Sequence, residues 1–459
     1  MDRKTTEKQI ACCIPTFNHP QVIKAVLGEC ASVYQKNGVD IYIYDSSTDK
    51  ETKNIVEAFV REGFKNLYYI ELDPSVGFDE KLIMLFSGYG LKYNYKYIWP
   101  VKDRSYVKET TLQIVMEETE KGYDAILLTA GWGDYSNEIV EEKVYRQKEA
   151  FYADWGWLAT SMDVTLFCVE GLLKGTDWEG FRDRYFFDGE NLFDHFTVLF
   201  HGLAQKEHIS VGVIYGADSE ICKVDIGRST SIRDIFKIWG KLWIEINNAL
   251  PACYDEYKAT IIYQAANLTW LFGSHTHLIE LRQQGILTEQ VYEEIKDRWE
   301  QLSSVPTEEL RMIAHGQLEE CEKVIMDRIS AFLLEERYQD LERLYWCNTW
   351  IRKQESNEEY VLLGLCIEVY KYEREERSQR NIFYHVWSYE EAVRKITYIM
   401  MMLIKIERMI DEESWNGFKD YIINNRVSSE CIAFMIDRCC VEKEQVMDRV
   451  VNLLEGHQG

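Results

Sequence analysis

Prolines are scarce, six in 459 residues, and no tract of proline, serine or glycine interrupts the chain. That leaves no composition suited to an extended disordered segment, and folded structure is expected throughout. Long apolar runs are missing too: Tyr398 to Ile404 falls well short of the roughly 18 residues a membrane-spanning helix needs, and Lys395 and Lys405 flank it. The polar start, Met1-Asp2-Arg3-Lys4, has no signal-peptide pattern, so a cytoplasmic location is expected. Positive charge is in deficit, with 52 Lys and Arg against 77 Asp and Glu and a formal net charge of -25. Such a surface repels phosphate backbones and anionic headgroups, which argues against nucleic acid or a lipid surface as partner. The 12 cysteines contain no Cys-x-x-Cys pair and no Cys/His zinc spacing, so buried free thiols are expected. His275-Thr276-His277 lacks a third ligand nearby and reads as a helix start or loop.

What is present is an alternation of strand and helix. Residues 9–16 read as a buried strand, and Gln21 to Tyr34 places Val22, Ile23, Val26, Leu27 and Val33 at helical spacing. Strands follow at Val39–Tyr44, Asn66–Leu72, Tyr95–Val101, Asp124–Thr129 and His208–Tyr215, with helices at Lys53–Arg61 and Asp79–Leu91. This order predicts an α/β fold with a mostly parallel, doubly wound sheet and flanking helices over residues 1–225. From about Ser229 the pattern becomes helical, as in Ile232–Leu250, Glu319–Leu334 and Val393–Ile410, which predicts an all-α domain over residues 226–459. The aromatic-rich stretch from Trp132 to Phe200, with Trp155, Trp157 and Trp178, suits either a binding wall or packing against the sheet.

Three strand ends carry polar groups: Pro15-Thr16-Phe17-Asn18, Asp45-Ser46-Ser47-Thr48-Asp49, and Asp103 after Trp99-Pro100-Val101-Lys102. Ligands of open α/β sheets bind beyond the carboxyl ends of the strands, so all three are expected around one pocket. A carboxylate at Asp45 can accept from a base N–H or a ribose hydroxyl. One at Asp103 suits Mg²⁺ or Mn²⁺ bridging a diphosphate. Lys81 lies on the helix after the third strand, where it reaches either a phosphate or solvent.

In this order and spacing the motifs resemble the inverting family 2 glycosyltransferases of the GT-A fold, over about residues 8 to 215. Gly77-Phe78-Asp79-Glu80-Lys81, with Tyr97-Ile98-Trp99, is similar to the branch that builds bacterial surface polysaccharides and glycoconjugates. The resemblance implies a hexosyltransferase that moves a sugar from a nucleotide-diphosphate donor, with UDP as the expected nucleotide, to a hydroxyl of a glycan, glycoprotein or lipid-linked acceptor. It places Pro15, Thr16, Phe17 and Asp45 at the nucleoside, Lys81, Asp103 and Arg104 at the diphosphate, and Asp194 as the base, with Asp188, Glu190 and His195 as rivals. Three positions depart from the family: Tyr44 replaces the first acid of the second motif, Arg104-Ser105 replaces further acids after Asp103, and Phe193 replaces a glutamate. Arg104 puts metal dependence in doubt, since a guanidinium can neutralise a diphosphate unaided. Arg228 could close over the diphosphate. The alternative is a GT-A-like domain without catalysis that serves as a scaffold. Met400, Met401 and Met402 exceed one helix stripe and suggest a homodimer.

Overall fold

The computed structural model describes residues 8–89, 94–129, 144–226, 234–268, 272–321, 323–325 and 328. Trp132, Arg228, Met400 to Met402 and the helix expected at Val393–Ile410 lie outside them, as does the end of Glu319–Leu334. Chain contacts divide the protein into two units, residues 1–269 and 270–459.

The first unit opens with β1 (Lys8–Thr16), α1 (Pro20–Lys36), β2 (Asp40–Asp45), α2 (Glu51–Arg61), β3 (Leu67–Glu71), α3 (Phe78–Met84) and β4 (Tyr95–Pro100). Each helix follows from its sequence. In α1, Val22, Ile23, Val26, Leu27, Cys30, Ala31 and Tyr34 recur on one buried face. Burying each large aliphatic side chain among them contributes about 1.5–3 kcal/mol. Pro20 starts this helix, where its missing N–H costs nothing, and Gly38, at φ +71°, lets the chain turn back into β2. All six residues of β2 are buried, as expected of a strand covered on both faces.

The chain continues through β5 (Ser105–Tyr106), α4 (Glu109–Glu120), β6 (Ala125–Leu128), β7 (Val144–Tyr145), α5 (Lys148–Trp155), β8 (Thr165–Cys168), α6 (Trp178–Tyr185), α7 (Asp194–Ala204), β9 (Val211–Ile214) and β10 (Cys222–Lys223). The sheet has eight strands in the order β3-β2-β1-β4-β8-β6-β9-β7, and β5 pairs with β10 in a separate ribbon. The pairs β1·β2, β1·β4, β2·β3 and β6·β9 are parallel, whereas β8 and β7 run against their neighbours. The fold class is the expected one, a mostly parallel α/β sheet with flanking helices. Its antiparallel strands β7 and β8 come from the aromatic stretch, where the alternation of strand and helix gives no pattern to read. Trp155 and Trp157 are buried there, with Trp155 Nε1 donating to Tyr145 Oη at 3.0 Å. They pack the fold and do not form an open wall.

Helical turns from Ile235 lead into α8 (Trp243–Ala249) and α9 (Asp255–Leu268). These still pack on the sheet unit: the ring centres of Trp243 and Phe196 of α7 are 4.8 Å apart, and Tyr152 of α5 donates to Asn247 at 2.8 Å.

The second unit begins with α10 (His275–Gln283), α11 (Glu289–Ile295) and α12 (Thr307–Ala314). Ser274 caps α10 by accepting from the His277 N–H at 3.3 Å, and Thr288 caps α11 in the same way at 3.2 Å. His275 is a helix-start residue, buried with Nε2 2.6 Å from Glu309, which also accepts from Arg328 at 3.2 Å. Among the described residues no helix is long and apolar enough to cross a membrane.

Candidate functional site

The strand order 3-2-1-4 reverses at β1, so the crevice beyond the carboxyl ends of β1 and β4 is the topological switch point of the sheet. Register fixes what stands there. Thr16 pairs with Asp45 and Asp45 with Glu71, while Cys13 pairs with Pro100. The Val101 N–H donates to the Cys13 carbonyl at 2.9 Å, extending the ladder, and beyond it Thr16, at the end of β1, faces Asp103 in the turn after β4. Thr16 Oγ1 lies 3.4 Å from Asp103 Oδ2, and Lys81 of α3 donates to the Thr16 carbonyl at 2.6 Å. Thr16, Asp45, Lys81 and Asp103 therefore share one place.

The first and second loops are laced together. Asn18, at φ +55°, donates its N–H to Ser47 Oγ at 2.7 Å, and its side chain accepts from the Thr48 N–H at 2.9 Å. Left-handed backbone is tolerated by asparagine better than by other side chains, which suits it to this bend. Asp45 is 1% exposed. Its Oδ1 accepts from the Ser47 N–H at 2.9 Å and its Oδ2 from Tyr69 Oη at 2.8 Å. Phe17 is 45% exposed at the rim, with the Lys81 ammonium 5.7 Å from its ring centre. Pro15 lies within β1, buried opposite Tyr44, and contributes strand geometry. Burial pushes the Lys81 ammonium down to about 8, against the pull of Asp45 and Asp103.

The third loop is pinned from behind. Asp163, buried before β8, takes the Lys102 ammonium at 3.1 Å and Ser161 Oγ at 2.7 Å on Oδ1, and Ser105 Oγ at 2.7 Å on Oδ2. Burial opposes its ionisation, yet the Lys102 charge and the two hydroxyls win and bring it to about 2. Lys102 and Ser105 flank Asp103 and Arg104, so this one carboxylate holds both ends of the turn. Arg104 ties this turn to the chain after β10: its Nη2 donates to the Ile226 carbonyl at 3.1 Å, and its own carbonyl accepts from the Val224 N–H at 3.0 Å.

A divalent cation at this place would have to rest on Asp103. One carboxylate can hold Mg²⁺ or Mn²⁺ when phosphates complete the shell, but His19 Nδ1 sits 2.6 Å from Asp103 Oδ2. The following residues bring no second carboxylate, and the Ser105 hydroxyl is spent on Asp163. Among the described residues, no three His, Cys, Asp or Glu side chains gather as an all-protein metal cage would need. The donor set does not fit a resident metal.

Asp194 opens α7 with no exposed surface, and neither oxygen has a hydrogen-bond partner. Burial, and then the neighbouring Asp79 carboxylate, raise it well above the usual carboxylate range. Asp79 is committed to the loop before α7, accepting from the N–H groups of Asn191 at 3.0 Å and Leu192 at 2.8 Å. That loop turns on Asp188-Gly189, both at positive φ, and on Leu192 at φ +62°. Of the rival bases, Asp188 pairs with Lys241 at 2.6 Å and Glu190 with Lys237 at 2.5 Å. His195 is held by the Thr160 carbonyl at 2.9 Å, and burial lowers it to about 4.

Sequence reasoning missed His19, Tyr69, Asp79 and Asp163. His19 had a local signal, because it stands at the N-cap before a helix-starting proline yet is not one of the residues that usually cap there. The other three depend on strand register and on contacts between distant segments.

No family model matches the chain, and no curated protein matches it. Solved structures do resemble it. The crystal structure of S. aureus TarS 1–349 is 15% identical, with 68% of this chain and 88% of that one covered and a TM-score of 0.37. The same protein in complex with UDP is 14% identical, with 68% and 88% covered and a TM-score of 0.40. The mannosyltransferase PcManGT from Pyrobaculum calidifontis, in complex with GDP-Man and Mn²⁺, is 12% identical, with 68% and 87% covered and a TM-score of 0.36.

Proposed function

We propose that this protein is an inverting glycosyltransferase of the family 2 type, taking a UDP-linked sugar to a hydroxyl of a glycan or glycoconjugate acceptor. The observation that carries the reading is the meeting of Thr16, Asp45, Lys81 and Asp103 at the switch point between β1 and β4. A carboxylate for a base N–H or ribose hydroxyl, an ammonium for phosphate and an exposed aromatic ring form a set suited to a nucleoside diphosphate. In this assignment Asp45 and the Pro15-Thr16-Phe17 loop hold the nucleoside. Lys81 serves the diphosphate, with the Asp103-Arg104 turn beside it, and Asp194 takes the proton of the acceptor hydroxyl.

A general base binds a proton as the anomeric carbon is attacked and must be ionised beforehand, which burial of Asp194 opposes until its site opens. Asp194 is closed off, so the loop 187–193 has to yield for an acceptor to reach it. The expected outcome is that Asp194→Asn keeps donor affinity and loses about 100-fold or more in turnover of a UDP-sugar with an accepted glycan. Unchanged turnover at saturating acceptor would reassign the base.

The full burial of Asp194 and the engagement of Arg104 with Ile226 favour a second reading, a nucleotide-binding domain without catalysis in a sugar-transfer assembly. Release of UDP from a UDP-sugar, followed by chromatography across an acceptor panel, separates the two: turnover supports the transferase, and binding without turnover supports the scaffold.

A further inference from the structure

Lys81 is a buried cation with work left over. Its side chain is 4% exposed, yet among the described residues its ammonium makes a single hydrogen bond, to the Thr16 carbonyl at 2.6 Å. Two of its three N–H groups remain, and burying unfilled donors on a charge is costly unless an anion completes the site. The two nearby carboxylates have other commitments. Asp45 accepts from Ser47 and from Tyr69 at 2.8 Å. Asp103 Oδ2 is engaged by His19 at 2.6 Å and Thr16 at 3.4 Å. Arg104, the other cation expected at the diphosphate, donates to Ile226. A divalent ion on Asp103 Oδ2 would compete with the His19 proton for that oxygen and sit near a buried ammonium.

We infer that Lys81 does at this site the work of a divalent cation: its ammonium holds the donor's diphosphate directly, and donor binding needs no metal. His19 complements it by donating to Asp103, which spends that carboxylate's charge within the protein and lessens its repulsion of the diphosphate. The inference rests on the nucleotide-sugar reading above and deepens it, since it assigns the phosphate subsite to one side chain and removes the metal from it.

The test is calorimetric titration of the full chain with UDP and with uridine, after EDTA and again with Mn²⁺, alongside electron paramagnetic resonance of free Mn²⁺. The expected result is a UDP affinity unchanged by EDTA or Mn²⁺ within about twofold, and a Mn²⁺ signal that the protein does not diminish. Lys81→Met should weaken UDP by about tenfold or more, as loss of a charge-assisted hydrogen bond does, and leave uridine within about twofold. Lys81→Arg, which keeps the charge if the burial disrupts the methionine variant, should retain most of the UDP affinity. UDP binding that appears only with Mn²⁺ overturns the inference and leaves the transferase reading standing. So does a folded Lys81→Met protein with wild-type UDP affinity. Absence of binding to UDP, GDP, dTDP and CMP alike overturns the transferase reading and this inference with it.

Discussion

Asp163 shows how a buried residue outside the obvious motifs governs one inside them. Its carboxylate joins Lys102, Ser105 and Ser161 and so sets the turn that presents Asp103. Because the folded group sits at about 2, below the ordinary carboxylate value, folding is favoured by its ionised form. That contribution is present above about pH 4 and is lost as pH falls toward about 2, and it amounts to roughly 2–3 kcal/mol. Asp163→Asn should therefore be less stable than wild type at pH 6, and the gap between their melting temperatures should shrink between about pH 4 and pH 2. A gap that stays constant would mean the carboxylate's charge is not what matters. At this scale the positions of Asp45 and Asp103 just where strands end, and of Lys81 on the helix after β3, were legible, because apolar runs closed by polar residues mark strand ends. Sequence reading could not find Asp163 or Tyr69, whose partners lie 58 and 24 residues away along the chain.

At the scale of elements, the site depends on two close fits. The loop before α7 is held by Asp79, whose carboxylate takes two backbone N–H groups from a segment with left-handed residues. Asp79→Ala should leave those donors unpaired and cost about 1–3 kcal/mol for each donor that stays buried and dry. Faster amide exchange at Asn191 and Leu192 would show it, and unchanged protection would refute it. In β9, a Cβ on Gly212 would meet the Tyr123 ring at 2.5 Å, closer than van der Waals contact allows. Gly212→Ala should destabilise the sheet unit by about 1–3 kcal/mol, measured by urea unfolding. A neutral substitution there would mean that the ring shifts freely.

The alternation of strands and helices from β1 to β4 was legible because each element keeps its own period. The antiparallel strands β7 and β8 were not, since they run two and four residues in a stretch dense in aromatics. Nor was the membership of α8 and α9: amphipathic spacing shows that a helix has a buried face, and says nothing of which unit covers it.

At the scale of the whole molecule, a net charge of -25 opposes the approach of an anionic donor. In the proposed nucleotide site, Lys81 behind the rim answers this locally. Salt screens the long-range repulsion more than it screens a buried contact. The association rate for UDP should therefore rise as ionic strength increases from about 0.01 to 0.15 M, in stopped-flow fluorescence of the site's aromatic residues. A rate that falls with salt would indicate attractive steering by a basic surface instead.

The central claim is that the crevice beyond β1 and β4 is a nucleotide site in which Asp45 reads the nucleoside. Titration of the 459-residue protein with UDP, beside Asp45→Ala shown to be folded by circular dichroism, tests it most directly. One-to-one binding by the wild type, weakened by about tenfold or more in the variant, is the result expected. Equal affinity in both proteins, or no heat from the wild type with any nucleoside diphosphate, would contradict it.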